Sequence, residues 1–258
     1  MKIKNAAVLV ILVLLMAMEG VYFAKAAPQG PDFIRNATPE RRALGLDNTT
    51  GGVKVQAQAG NVTALNINST RVTNRWQGYY GNVSGTITLD DAFNSTLYNW
   101  DLASPQGEIY ASNGSESGTV DWGNVFCFNY TNNLSSGQPI VQRFNGTDLE
   151  RSIGALTSDK DSLNSTFNQT FSGNFQVGIY PISSASGCMQ ATLFVNDQYQ
   201  TNDFVEVLLT DNQSIIYTAL LEQNQIGFQG SPVDFQMIVG ENGDITSATT
   251  YYFFVELS

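Results

Sequence analysis

Asparagine carries the most chemistry in this sequence. Asn-x-Ser/Thr triplets begin at Asn36, Asn48, Asn61, Asn68, Asn82, Asn94, Asn113, Asn129, Asn133, Asn145, Asn164, Asn168 and Asn212. Each is an acceptor for an N-linked glycan, and an occupied acceptor must lie on the surface of an exported chain. Beyond residue 26 there are 23 Asn, and 43 of the 232 residues are Ser or Thr. Chance placement in that composition gives about four triplets, so coincidence does not account for most of them. The spread is also uneven. Before residue 170, 12 of 17 Asn begin a triplet; after it only Asn212 of six does.

The two cysteines, Cys127 and Cys188, are an even count, which in an exported chain indicates a bridge rather than two buried free thiols. Histidine is absent. That excludes Ser-His-Asp and Cys-His catalysis and leaves any zinc site without imidazole. No glycine-rich phosphate loop precedes a helix. A glycoside hydrolase needs only two carboxylates, and Asp90, Asp91, Asp101, Glu108 and Asp121 lie nearest the aromatic segments. Asp90-Asp91 and Glu241-Asn242-Gly243-Asp244 carry oxygen ligands that suit Ca²⁺ but match no EF-hand. They are read as solvated turns. No catalytic residue, metal or cofactor is assigned. Trp76, Tyr79 and Tyr80 are read either as core or as a platform for stacking sugars; Trp100 and Trp122 are read as core.

The elements that must position these residues follow a leader. Lys2 and Lys4 precede an apolar run, Ala6 to Met18, that Glu19 ends; Ala24-Lys25-Ala26 then gives a small-x-small pattern. The run is short for a membrane span of about 20 residues and fits a secretory h-region. Residues 1–26 are therefore expected to be a signal peptide, cut after Ala26, with no integral span remaining. An uncleaved anchor extending over Val21–Phe23 and a pilin-type leader are the competing readings. The remainder has 9 Lys and Arg against 22 Asp and Glu, a net charge of −13. Nucleic acid and anionic membrane both need basic patches and are not expected partners.

Residues 27–52 are rich in Pro, Gly, Asn and Thr without a period and read as an extended arm, with a turn of helix near Pro39–Arg42. Residues 53–258 read as one β-sandwich domain, with two subdomains not excluded. Val83, Gly85, Ile87 and Leu89 alternate with polar residues, as do Val233, Phe235, Met237 and Val239, and Tyr251, Phe253, Val255 and Leu257. Period two marks half-buried strands. Further strands are expected at 53–58, 62–67, 97–103, 108–112, 120–130, 171–180, 188–195, 204–210 and 214–221. Asp211–Ser214 and Asn242-Gly243 read as hairpin connections. Thr147-Asp148-Leu149-Glu150 has a capping-box pattern, and Leu149, Ile153 and Leu156 follow at helical spacing. The fold class expected is mainly β, an antiparallel sandwich with one short helix near 148–158.

Three runs carry a resemblance: 76–85 (WQGYYGNVSG), 98–112 (YNWDLASPQGEIYAS), and the ending 234–239 (DFQMIV) with 251–257 (YYFFVEL). Together they resemble a set of secreted archaeal surface proteins of unassigned function. The resemblance covers most of the chain from Trp76 onward and implies an archaeal envelope, with no catalytic residues to carry over.

The leading functional reading is a structural, non-enzymatic glycoprotein of the cell surface or extracellular space, such as a filament or coat subunit. Its partners would be copies of itself or other surface proteins. A carbohydrate-binding or adhesive module is second, and a secreted hydrolase third. The triplet-poor C-terminal third suggests either subunit contact or buried core. The segment 53–58, in which Val53, Val55 and Ala57 alternate with polar residues, could add to a sheet edge of a neighbouring copy or pair within its own chain.

Overall fold

A computed structural model describes residues 27–32, 34–35, 56–62, 64–67, 72–102, 106–114, 120–130, 145–199, 203–242 and 248–257. The leader, most of the arm, the turn near Pro39, Val53 and Val55, the Gly243-Asp244 turn, and the acceptors Asn36, Asn48, Asn68 and Asn133 lie outside the described residues.

The strands in chain order are β1 (Trp76–Gly81), β2 (Gly85–Asp90), β3 (Thr96–Leu102), β4 (Gly107–Ser112) and β5 (Phe126–Cys127). Two short helices follow, α1 (Gly146–Ser152) and α2 (Leu163–Thr166). Then come β6 (Gln169–Thr170), β7 (Asn174–Val177), β8 (Tyr180–Ser183), β9 (Met189–Thr192), β10 (Val205–Thr210) and β11 (Ile215–Leu220). The last four are β12 (Gln225–Ile226), β13 (Pro232–Val233), β14 (Phe235–Gly240) and β15 (Tyr252–Leu257). Every strand pairing is antiparallel. The protein is mainly β and sandwich-like, as the alternation predicts.

The central sheet runs β15-β4-β11-β10-β9-β6, with β5 also on β10. Alternation sends its side chains into two cores. Ile109, Ala111, Leu208, Tyr217 and Ala219 face one core, which Met237 and Val239 of β14 and Leu149, Leu163 and Phe167 of the helical segment complete. Tyr110, Val207, Leu209, Ile216 and Phe254 face the other, closed by Val120, Val125, Phe171, Val177 and Ile182. β10 and β11 are thus buried on both faces, and the triplet-poor C-terminal third supplies the interior of the molecule. The disulfide Cys127–Cys188 ties β5 to the start of β9, with Cα atoms 4.8 Å apart. The bridge expected from the cysteine count is present.

Several local expectations are corrected. Trp76–Gly81, not among the expected strands, is a regular strand paired with β14. At Gly81 a Cβ would meet the Phe235 ring at 3.5 Å, an ordinary contact, so space does not demand glycine there. Residues 56–58, 61–62 and 64–67 form no strand, and Val62, Leu65 and Ile67 are exposed. Alternation without a facing partner does not make a ladder. Within 120–130 the strand shrinks to β5, because Trp122–Asn124 turns as a 3-10 helix with the Asp121 carboxylate accepting from the Gly123 N–H. The capping box belongs to Asn145 and Asp148, not Thr147 and Glu150. The helix stops at Ser152, before Gly154 at φ 67°, and Leu156 is exposed. The second helical turn, α2, has Ser162 as its cap.

Among the described residues, the arm pairs with the sheet at the Gln29–Val255 bridge. The Gln29 N–H donates to the Val255 carbonyl at 3.1 Å, and the Val255 N–H donates back at 2.8 Å. This pairs one residue of the β15 edge within the same chain. No helix among the described residues is long and apolar enough to cross a membrane.

Candidate functional site

The carboxylates named from the sequence do not converge. Asp91 lies exposed in the β2–β3 bend, where it accepts the N–H groups of Phe93 and Ser95 at 2.8 and 2.9 Å. Those bonds hold its pKa below the ordinary aspartate value. Asp90 accepts the Thr88 hydroxyl, and Asp101 is exposed on β3. Asp121 caps its 3-10 turn, while its N–H donates to Asp211. Among the described residues no three His, Cys, Asp or Glu gather as a metal site would require.

Glu108 takes part in a carboxylate pair that sequence reading did not find. It faces Glu256 directly across β4 and β15, and each is 4% exposed. The Tyr110 hydroxyl donates to Glu256 Oε2 at 3.2 Å, and the Gly178 N–H donates to the same oxygen at 3.0 Å. Burial first, then the two carboxylates, push the Tyr110 hydroxyl far above its ordinary range. A pair so enclosed binds layers together and has no room for a sugar ring. Glu206 does the same on the other face. It is fully buried, and Oε2 accepts the Ile238 N–H of β14 at 2.9 Å. The signal for both was a charged residue on an apolar strand, in Val205-Glu206-Val207 and Val255-Glu256-Leu257.

The three candidate sugar contacts are parted. Trp76 is half-buried against Phe167 and Tyr217, and its indole N–H donates to the Asp161 carbonyl at 2.8 Å. Tyr79 packs edge-on against Phe253 at 5.0 Å. Tyr80 is exposed and touches Phe228, also at 5.0 Å. Gln236 ties the Phe228 N–H to the Phe194 carbonyl, and Phe194 stacks edge-on with Tyr199. Tyr80, Phe194, Tyr199 and Phe228 are exposed aromatics. Trp122 packs between Tyr110 and Phe254. Trp100, read as core, is instead 49% exposed. Among the described residues β2 and β3 pair only with each other, and no described strand layer lies over its ring.

Of the acceptor asparagines, Asn61, Asn82, Asn94, Asn113, Asn164 and Asn168 are exposed, and Asn129, Asn145 and Asn212 are half-buried. Asn145 caps α1 through Oδ1. A glycan attaches through the side-chain nitrogen, so the cap survives modification. No protein-family model, curated protein or solved structure matches the chain.

Proposed function

We propose that this chain is an exported structural glycoprotein of an archaeal cell surface, acting by contact with copies of itself or with neighbouring surface proteins rather than by catalysis. The observation that carries this reading is the division of the chain's polar and apolar groups. Its buried carboxylates are spent on holding layers together, while large apolar side chains stand exposed on β2 and β3, where Ile87, Leu89, Tyr98 and Trp100 are each 49% exposed or more. An apolar patch left in water marks an interaction surface. The acceptor asparagines among the described residues are exposed or half-buried and none is fully buried, so glycans can be carried without disturbing the core. The resemblance to secreted archaeal surface proteins supports the location.

A second reading is carbohydrate binding, favoured by the exposed Tyr80, Phe194, Tyr199 and Phe228 around Gln236. Protein recovered from its own cells separates the alternatives. The structural reading expects it in the surface fraction, beginning at Ala27, with glycan on several of the named asparagines and no turnover of polysaccharides. Recovery from the cytosol with an intact leader and bare asparagines would refute it. Retention on a polysaccharide column that is lost on Tyr80→Ala with Phe228→Ala would favour the second reading.

A further inference from the structure

Sixteen consecutive residues, Thr86 to Asp101, are all exposed. They are the body of a β-ribbon formed by β2 and β3, which make a two-stranded sheet of their own. An isolated two-stranded hairpin is marginally stable in water, and this one has a side that water does not favour. Its register sets Ile87 opposite Trp100 and Leu89 opposite Tyr98, so these four share a face. Thr86 opposite Asp101 and Thr88 opposite Asn99 make the other. The rings of Tyr98 and Trp100 meet edge-on at 4.9 Å. Phe93 in the bend is 87% exposed, and Leu97 in β3 is 81% exposed.

We propose that the apolar face of this ribbon docks against the same face of a second copy of the chain. The proposal deepens the assembly reading above and rests on it. Size is the first argument. On the scale of 150–250 Å² per aromatic side chain, the exposed parts of Tyr98 and Trp100 come to about 250 Å². With Ile87 and Leu89 the face reaches about 400 Å², the size of a patch that marks an interaction site and, over two copies, of a weak contact below about 1,200 Å² in total.

Charge is the second argument. Beyond the leader the chain carries −13, so two copies repel each other over most of their surface. The face made by Ile87, Leu89, Tyr98 and Trp100 has no charged side chain, and there the repulsion is least. A basic partner would be drawn instead to Asp90, Asp91 and Asp101, at the bend and on the opposite face. Symmetry is the third. A two-fold axis along the ribbon lays the aromatic column of one copy over the aliphatic column of the other, which gives a self-complementary contact. The glycan acceptors nearby, Asn82 and Asn94, precede β2 and sit in the bend, and neither belongs to the face. A sugar chain fits less well: the two rings are inclined by 62° and give no flat strip, and Ile87 and Leu89 offer no hydrogen bonds.

The test is sedimentation of the full mature glycoprotein up to about 100 μM, well above the micromolar constant of a modest contact. Wild type is compared with the pair Tyr98→Thr and Trp100→Thr, and with Thr88→Gln on the opposite face. Threonine keeps strand propensity, and circular dichroism with an intact Cys127–Cys188 bridge verifies folding. The expected result is wild-type association, weakened at least tenfold by the aromatic pair and unchanged by Thr88→Gln. Association that survives loss of both aromatics overturns the ribbon contact and leaves the assembly reading standing. A wild type that stays monomeric throughout overturns both. A monomer whose Trp100 fluorescence shifts with added polysaccharide replaces the second copy with a sugar ligand.

Discussion

Glu206 shows how a buried carboxyl couples stability to pH. Burial raises its pKa well above the ordinary glutamate value, and the Ile238 N–H opposes this only in part. Burial also raises Glu222. A carboxyl whose folded pKa exceeds its unfolded one holds its proton more tightly in the native state. Its contribution is complete in acid, below the ordinary glutamate pKa, and is lost as pH rises through the folded value. Asp161, lowered by the Thr73 hydroxyl and Arg75, runs the other way, but it is solvent-facing and screened. Thermal melts from pH 3 to pH 8 are therefore expected to show stability falling toward neutrality, with Glu206→Gln flattening that fall. A wild type whose stability rises steadily with pH, or a Glu206→Gln variant with an unchanged profile, would contradict this. Gly107 is the second residue-scale case. It lies at φ 132°, where an added Cβ would sit 1.9 Å from the Glu256 carbonyl oxygen. Gly107→Ala should cost at least about 2 kcal/mol in denaturant unfolding, from backbone strain and displacement of β15; a loss within about 0.5 kcal/mol would argue that the β4–β15 pairing is looser than described.

At the scale of elements, the sequence was most legible where apolar residues recur at every second position. Val233–Val239 and Tyr251–Leu257 alternate, and both form strands near their expected limits. The Asp211–Ser214 turn was legible too, because Asp211 accepts the N–H groups of Gln213 and Ser214, a bond pattern that its position dictates. β1 was hidden because Gly78 and Gly81 interrupt the apolar alternation that marks the other strands. The helix was placed but its cap was not, since Asn145 and Asp148 compete with Thr147 and Glu150 for the same box, and Glu150 turns inward to accept the Asn164 N–H. Trp100 was misread because an apolar strand face looks the same whether a layer of the same chain or another molecule covers it. The disulfide closes a loop over a separation of 61 residues, worth about 4 kcal/mol in the chain-entropy account. Cys127→Ser with Cys188→Ser should lower unfolding stability by a sizeable part of that, and adding reductant to wild type should have the same effect. No change in either experiment would remove the bridge from the list of stabilising features.

At the scale of the whole molecule, one sheet is buried on both sides, and each side is latched by a glutamate that reaches a backbone N–H of the covering layer: Glu206 to Ile238 and Glu256 to Gly178. Such a body keeps its few charges either sealed inside or spread over a surface that the acceptor asparagines share. Glycopeptide mapping should find occupancy first at the exposed Asn61, Asn82, Asn94, Asn113, Asn164 and Asn168; a pattern confined to the half-buried Asn129, Asn145 and Asn212 would reverse the inferred surface. The location outside the cell and the role in assembly stand together as the central claim. Immunogold electron microscopy of the native cell surface tests it most directly. The account predicts label at regular intervals on an external filament or coat, lost when the gene is deleted. Label inside the cell, or confined to dispersed single molecules in the medium, would contradict it.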